Sequence, residues 1–174
     1  VQRDPLDALC LLGDERVLDV ACGPGNTTRG LLAALGPGAE VVGLDASVTM
    51  LRQAVAEAGD ERVDYVLGDA GSLPFPDAAF DIVSCQAALH LMDDPEHVLG
   101  EMVRVLRPGG RIALLVTCAR GPASLRPLLN RLPEAAGVTM FGRDEFPRIV
   151  AAAGLAVEHR RVYGVFQVLV AAKP

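Results

Sequence analysis

The regular alternation of short aliphatic runs with segments of helical spacing constrains the fold more than any other feature of this sequence. The runs predicted as strands are residues 16–21, 40–44, 62–67, 80–85, 111–116, 155–162 and 165–172. The predicted helices are residues 26–35, 47–58, 94–106, 124–132 and 143–153. Such alternation predicts a doubly wound α/β sheet whose strands are mostly parallel. Because only Tyr163 and Gly164 join the last two strands, the final strand is predicted to be antiparallel.

The composition favours a single α/β domain with an aliphatic core. Hydrophobic residues make up 51% of the 174 residues, whereas aromatic residues make up 4% and Trp is absent. Aliphatic strands are typical of parallel sheets that are buried on both faces, and this length favours one domain over two. We expect the domain to cover residues 1–174, with a short lead-in at residues 1–13 and a short insert at residues 117–142.

Charge and cysteine spacing argue against several classes of protein. The net charge of −6 and the absence of a basic run argue against a nucleic-acid partner. The longest apolar runs, residues 112–116 and 165–172, are too short to span a bilayer, so no membrane association is expected. The four cysteines lack the spacing of a metal site, so we expect no metal, reduced thiols and a cytoplasmic location. They are Cys10, Cys22, Cys85 and Cys118.

Three acidic residues lie at or near the ends of successive predicted strands. Asp19 lies in the first strand, Asp45 follows the second and Asp69 follows the third, one βα unit apart in each case. Parallel strands place their carboxyl ends along one edge of the sheet, where α/β proteins bind ligands. We therefore expect all three carboxylates around one crevice.

The first turn, residues 21–26 (ACGPGN), is rich in glycine and lets the backbone approach a ligand closely. As a dinucleotide fingerprint it fails, because Thr28 stands where the third glycine is required. Asp19 just before the turn would also repel a pyrophosphate, which needs an anion-binding helix N-terminus. The turn suits a ligand with a positive amine or sulfonium better.

Five segments, in this order along the chain, resemble the motifs of class I S-adenosylmethionine-dependent methyltransferases. They read VLDVACGPGNT (17–27), GLDASVTML (43–51), GDAGSLPF (68–75), FDIVS (80–84) and LRPGG (106–110). The resemblance is closest to the small-molecule branch called type 11, which includes ubiquinone and menaquinone biosynthesis, and it is strong over about residues 15–118. It implies a Rossmann-like seven-stranded sheet in the order 3-2-1-4-5-7-6 with helices on both faces. It also implies S-adenosyl-L-methionine as cofactor and S-adenosyl-L-homocysteine as product.

The same resemblance implies roles for residues of the first two motifs. The backbone near Gly23 and Gly25 would pass under the methionine part of the cofactor. Asp19 would orient this loop and the ligand amine, and Asp45 would accept hydrogen bonds from both ribose hydroxyls.

The remaining implied cofactor contacts come from the second, third and fourth motifs. Ala46 and Met50 would pack on the adenine, and Asp69 would accept a hydrogen bond from the exocyclic adenine amine, with the Ala70 N–H nearby. Gln86 would line the site through its backbone carbonyl. For Met50 an ordinary place in the core remains an alternative, as does a simple turn-forming role for Asp69.

Catalysis requires mainly positioning, because the sulfonium is already an activated leaving group. A general base helps where the acceptor must lose a proton. His90 follows the fourth strand, and family members often carry a histidine there, so it is the catalytic candidate; a structural histidine is the alternative. His97 is interpreted as a solvated surface residue, and His159 as distant from the site.

The sequence therefore predicts an enzyme that methylates O, N or C of a small-molecule acceptor. The main alternative is a cofactor-binding module without turnover, or a subunit that needs a partner or a lid, because few residues precede the first strand. A homodimer, in which a second copy covers the site, is an alternative for the same reason. An NAD-linked dehydrogenase is disfavoured by Thr28 and the Asp69 motif, and methylation of protein or RNA is a lesser variant.

Overall fold

The structure is a computed structural model that describes residues 13–119 and 137–174. The strands are β1 (Arg16–Val20), β2 (Glu40–Asp45), β3 (Val63–Leu67), β4 (Phe80–Gln86), β5 (Leu106–Thr117), β6 (Ala156–Tyr163) and β7 (Phe166–Ala172). The helices are α1 (Asn26–Ala34), α2 (Val48–Glu57), α3 (Pro95–Val105) and α4 (Glu145–Ala152), with a short 3-10 helix at Leu89–Leu91. No helix in these ranges combines the length and the apolar character that crossing a membrane requires.

The seven strands form one sheet in the order 3-2-1-4-5-7-6, which confirms the predicted fold. Strands β1 to β5 pair in parallel, and β7 is antiparallel to both β5 and β6. Strands β2 and β3 lie on one side of β1, and strands β4 to β7 lie on the other side. The carboxyl ends of β1 and β4 therefore flank the switch point at which such sheets bind ligands.

The central strands are buried on both faces of the sheet. Every residue of β1 after Arg16 is buried. Alternate residues along β1 belong to different clusters: Leu18 packs in the cluster that contains Leu99 of α3, and Val17 packs in the cluster that contains Leu31 of α1. Because successive side chains of a strand point to opposite faces, helices cover the sheet on both sides, as predicted.

Most predicted elements agree with the structure to within two residues, which is the usual uncertainty of element ends. Residues 107–110 differ: the sequence predicts a tight turn, but the structure includes them in β5. The backbone of Lys173 explains this, because it donates to the Gly110 oxygen (2.9 Å) and accepts from the Gly109 N–H (2.8 Å). These bonds extend the pairing of β5 with β7. The predicted helix at residues 124–132 lies outside the described residues, as does Cys10.

Candidate functional site

A pocket of about 420 Å³ opens at the carboxyl ends of the strands on the β1 side of the switch point. One wall follows β1, β2 and β3; it consists of Ala21, Leu44, Asp45, Ala46, Gly68, Asp69, Ala70 and Gly71. The opposite wall leads into α3; it consists of Leu91, Met92, Asp93, Asp94, His97 and Val98. The volume lies in the range of small-molecule sites. Four of the predicted cofactor residues, those at positions 45, 46, 69 and 70, thus line one pocket.

The first loop turns sharply where β1 ends. Ala21, Gly23 and Gly25 have φ angles of 55°, 54° and 81°, in the left-handed region that favours glycine. At Gly25 an added Cβ would collide with the hydroxyl of Tyr65, so this position has no room for a side chain. A non-glycine residue such as Ala21 in this region costs about 1–3 kcal/mol, and such residues cluster at functional sites.

Asp45 links the first loop to the start of α2. Its Oδ2 accepts a hydrogen bond from the Gly23 N–H (2.8 Å), and its Oδ1 accepts one from the Ser47 N–H (2.8 Å). Ser47 in turn caps α2, because its hydroxyl accepts from the Met50 N–H (3.3 Å). Each carboxylate oxygen has two acceptor positions. Asp45 is half-buried in the pocket wall, and both of its oxygens can still accept a hydrogen bond from a ligand.

Asp19 lies under the first loop and does not line the pocket. It is only 1% exposed, and the Thr28 hydroxyl donates a hydrogen bond to its Oδ2 (2.7 Å). Burial raises the pKa of Asp19 from 3.8 to about 7, because it outweighs the lowering effect of the hydroxyls of Thr28 and Ser84. The predicted role in orienting the loop agrees with the Thr28 contact at the start of α1, whereas the role toward a ligand amine stays a prediction.

Asp69 organises an exposed turn at the pocket wall after β3. Its Oδ1 accepts a hydrogen bond from the Gly71 N–H (2.8 Å), and its main-chain oxygen accepts one from the Ser72 N–H (3.1 Å). His97 of α3 contacts the same turn, with its Nε2 2.8 Å from the Gly71 oxygen. Because a carbonyl can only accept, Nε2 carries the proton in this contact.

The pocket is strongly acidic. The carboxylates of Asp45, Asp69, Asp93 and Asp94 line it, and none of its described lining residues is Lys or Arg. Within residues 13–119 and 137–174, no group of three or more His, Cys, Asp or Glu side chains is arranged to hold a metal ion. The electrostatic field in the pocket therefore favours a ligand with positive charge and disfavours a polyanion.

Five predicted cofactor contacts lie outside the pocket lining: Asp19, the backbone at Gly23 and Gly25, Met50 and Gln86. Met50 is 39% exposed on α2. The Gln86 side chain points into the sheet, where its Nε2 donates to the Ser84 hydroxyl (3.2 Å) and to the Ala113 oxygen (3.1 Å). The contact of Met50 with adenine and the contact of the Gln86 carbonyl with the cofactor stay predictions.

His90 is buried in the 3-10 helix that follows β4, and the pocket lining begins only with the next residue, Leu91. Its main-chain oxygen accepts a hydrogen bond from the Thr139 N–H (2.7 Å). Its Nδ1 has no hydrogen-bond partner among the described residues. Burial lowers the pKa of His90 from its usual 6.5. His159 lies on β6, at the opposite edge of the sheet from β3.

The sequence did not reveal the α3 wall of the pocket. Asp94 followed by Pro95 predicts a helix start, and the structure confirms it: the Asp94 Oδ1 accepts from the His97 N–H (3.0 Å). Nothing in that pattern indicates that Asp93, Asp94 and His97 face the turn after β3. Their place in the site follows only from the packing of α3 against the sheet.

The sequence of this chain matches a family described as "Methyltransferase domain" over residues 18–114, which is more than half of the chain. The demethylmenaquinone methyltransferase of Anoxybacillus flavithermus is 40% identical over 119 residues, which are 67% of this chain and 50% of that protein. That of Thermus thermophilus is 41% identical over 116 residues, 66% of this chain and 52% of that protein. The chain thus spans about half the length of the curated relatives it matches.

Solved structures share the fold. A Bacillus halodurans protein described as a methyltransferase superposes with a TM-score of 0.85 at 22% identity, covering 98% of this chain and 97% of that chain. A chain from the complex of the Haloferax volcanii Trm112 methyltransferase activator with a methyltransferase superposes with a TM-score of 0.84 at 22% identity. The match covers 98% of this chain and 87% of that chain. Together with the matched family, this fold shows that the chain belongs to the class I S-adenosylmethionine-dependent methyltransferases.

Proposed function

We propose that this chain binds S-adenosyl-L-methionine in the acidic pocket and transfers its methyl group to O, N or C of a small-molecule acceptor. The observation that carries the proposal is the pocket itself, which lies at the carboxyl ends of β1 to β3 and contains four carboxylates and no described Lys or Arg. The cofactor has a sulfonium and an ammonium group, so its charge fits this lining. Membership of the methyltransferase family supports the same ligand.

The same lining argues against the dinucleotide alternative. A pyrophosphate is bound by backbone N–H groups at a helix N-terminus and by positive charge. Here the Gly23 N–H, which would face such a group, already donates to the carboxylate of Asp45. The buried Asp19 lies close before the same loop and carries a negative charge there once the pH exceeds its raised pKa of about 7.

The residues of the pocket and of the adjoining first loop would together hold the two ends of the cofactor. Asp45 would accept hydrogen bonds from the ribose hydroxyls with the acceptor positions that Gly23 and Ser47 leave open. The backbone at Gly23 and Gly25 would lie under the methionine part. Asp69 and Ala70, in the turn after β3, would contact the adenine.

The bound cofactor supplies a methyl group on a positively charged sulfur that becomes a neutral thioether when an acceptor takes the methyl. The protein has to orient the acceptor and remove a proton where the acceptor atom carries one. His90 is the candidate for the second task. Its lowered pKa keeps the imidazole neutral near pH 7, and its Nδ1 is unpartnered among the described residues.

A second candidate function is cofactor binding without turnover, or activity only in the presence of a partner. It is favoured by the position of His90, which is buried outside the lining of the pocket. The Haloferax volcanii chain with the same fold forms a complex with an activator, which makes an activating partner a reasonable candidate here as well. The acceptor, the oligomeric state and a cytoplasmic location stay predictions.

Calorimetric titration with S-adenosylmethionine and S-adenosylhomocysteine tests the cofactor site. The comparison needs the wild type, Asp45→Ala and the control Asp64→Ala, which removes an exposed carboxylate on β3 outside the pocket. We expect Asp45→Ala to weaken binding about ten- to a hundredfold, because it removes hydrogen bonds worth roughly 1.5–3 kcal/mol. Asp64→Ala should bind like the wild type.

The outcomes separate the candidates. A wild type that binds NADH but neither adenosyl ligand contradicts the proposal. Binding followed by methyl transfer to an acceptor supports it, and demethylmenaquinone is the first acceptor to try, because it is named in the relatives. Binding without transfer to any acceptor, alone or with added cell extract, favours the non-catalytic module.

A further inference from the structure

We propose that His97 is a positioning residue that holds the turn after β3 in the pocket wall and thereby sets the affinity for the adenosine part of the ligand. The inference rests on the proposed function, because it takes the Asp69 turn as the adenine contact. His97 is exposed, as the sequence predicted. It also lines the pocket and contacts the Gly71 oxygen at 2.8 Å.

His97 is the first of three polar residues on one face of α3 that contact the same segment of chain. The residues at positions 97, 101 and 104 share a helix face. The Glu101 carboxylate accepts from the Leu73 N–H (2.9 Å), and Arg104 donates to the Leu73 oxygen (3.0 Å) and to the Phe75 oxygen (2.8 Å). Each contact is made to the backbone, so α3 fixes the path of residues 71–75. His97 is the member of this row that lies in the pocket.

The turn itself depends on few other contacts. Asp69 is exposed, and its carboxylate accepts a hydrogen bond from the Gly71 N–H. His97 contacts the oxygen of the same glycine. Without the imidazole, the hydrogen bonds of Gly71 and Ser72 within the described part of the chain would be those that they make to Asp69 inside the turn. The turn would then sample more conformations, and the ligand would have to order it on binding.

The helix holds His97 rigidly enough for this task. Its own N–H donates to Oδ1 of Asp94, the N-cap of α3 (3.0 Å). The next two residues, Val98 and Leu99, are buried in the core. A side chain whose backbone is fixed in this way is preorganised, so its hydrogen bond loses little entropy when the ligand binds. In this proposal His97 acts through the turn, by way of its hydrogen bond to the Gly71 oxygen.

The first experiment compares His97→Ala with His97→Gln by calorimetry. The Gln amide nitrogen can reach the position of Nε2 and donate to the Gly71 oxygen, whereas Ala cannot. The probes are S-adenosylhomocysteine and 5′-methylthioadenosine, which lacks the amino-acid part. One hydrogen bond is worth about 1 kcal/mol, so His97→Ala should weaken both probes about fivefold. His97→Gln should restore affinity to within about twofold, and Glu96→Ala, an exposed change on the same helix turn, should have no effect.

The second experiment needs no ligand: hydrogen exchange of residues 69–73 in the wild type and the same variants. His97→Ala should speed exchange at Gly71 and Ser72 about fivefold, and His97→Gln should not. Unchanged exchange in His97→Ala overturns the proposal, and so does equal weakening by Ala and Gln. If His97→Ala binds S-adenosylhomocysteine more weakly than the wild type does but binds 5′-methylthioadenosine equally well, the assignment to adenosine is overturned. If the wild type binds neither probe, the proposed function fails and the adenosine assignment with it, while exchange still decides whether His97 holds the turn.

Discussion

Asp19 and Asp45 lie on neighbouring parallel strands near the same edge of the sheet, but their carboxylates have different surroundings. Asp19 is buried, its hydrogen-bond donors are the side-chain hydroxyls of Thr28 and Ser84, and its pKa is raised to about 7. Asp45 is half-buried, and its donors are the backbone N–H groups of Gly23 and Ser47. One carboxylate supports the loop from below, and the other faces the pocket.

The register of the two strands explains the difference. Asp19 pairs with Gly43, so Asp45 lies two residues further toward the carboxyl edge. At about 3.3 Å per residue, this offset moves its carboxylate beyond the packed layer of side chains and into the pocket wall. The depth of an acid along its strand therefore decides whether it faces a ligand or is buried with hydroxyl groups as its hydrogen-bond donors.

The largest expected effect is on the pH dependence of stability in Asp19→Asn. Because the pKa of Asp19 is raised from 3.8 to about 7 by burial, the folded protein binds a proton that the unfolded chain has released between these pH values. The free energy of unfolding of the wild type should therefore fall as pH rises through this window. The contribution amounts to about 4 kcal/mol over the whole window. Asp19→Asn should lose this dependence, as measured by urea unfolding at pH 4.5 and pH 8.

The control for this measurement is Asp64→Asn, which changes the charge equally at an exposed position on β3. Its stability should follow the wild type at both pH values. Parallel curves for Asp19→Asn and the wild type would show that Asp19 does not titrate in this window, and the contrast with Asp45 would lose its physical basis.

Thr28→Val should have an intermediate effect that depends on the charge of Asp19. The substitution keeps the shape of a fully buried side chain but removes the hydroxyl that donates to Asp19. At pH 8, where Asp19 is ionised, we expect a loss of about 2 kcal/mol in the free energy of unfolding, because a charged acceptor loses its donor. At pH 5 the loss should be smaller. An equal loss at both values would indicate that cavity or packing effects dominate.

The smallest expected effect concerns salt. The pocket around Asp45 is open to solvent, so the attraction between its carboxylates and a sulfonium is screened by ions. Raising the salt concentration from 0.05 M to 0.5 M should weaken S-adenosylmethionine binding about two- to threefold, with a smaller change for S-adenosylhomocysteine, which lacks the sulfonium. Equal changes for both ligands, measured by calorimetry, would place the four carboxylates too far from the sulfur to matter.

The fold was predictable because the sequence pattern of each strand and helix is local. Runs such as residues 16–21 and 40–44 end in turn residues, and the helices between them carry apolar positions on one face. The positions of Asp45 and Asp69 at the carboxyl ends of β2 and β3 followed from the same reading, and both line the pocket. Burial of Asp19 did not follow, because all residues of β1 beyond Arg16 are buried and the strand shows no alternation that would reveal where a polar side chain points.

The two histidines show the same limit. The sequence ranked His90 above His97 because His90 directly follows a strand that ends at the crevice. The structure buries His90 beside Thr139, which lies far along the chain, and it places His97 in the pocket wall. The helical pattern of α3 indicates that His97 is on its polar face. It cannot indicate that residues 71–75 cover that face.

The sequence by itself determined the order and type of the elements, the strand order through its family resemblance, and the loops that form the ligand edge of the sheet. Hydrophobic periodicity, caps and turn residues act over a few positions, so they can be read along the chain. Only the tertiary structure decided the depth of each carboxylate, the acidic wall from α3 and the contact of His97 with Gly71. Those properties depend on strand register and on helix packing between residues far apart in sequence, which no local pattern encodes.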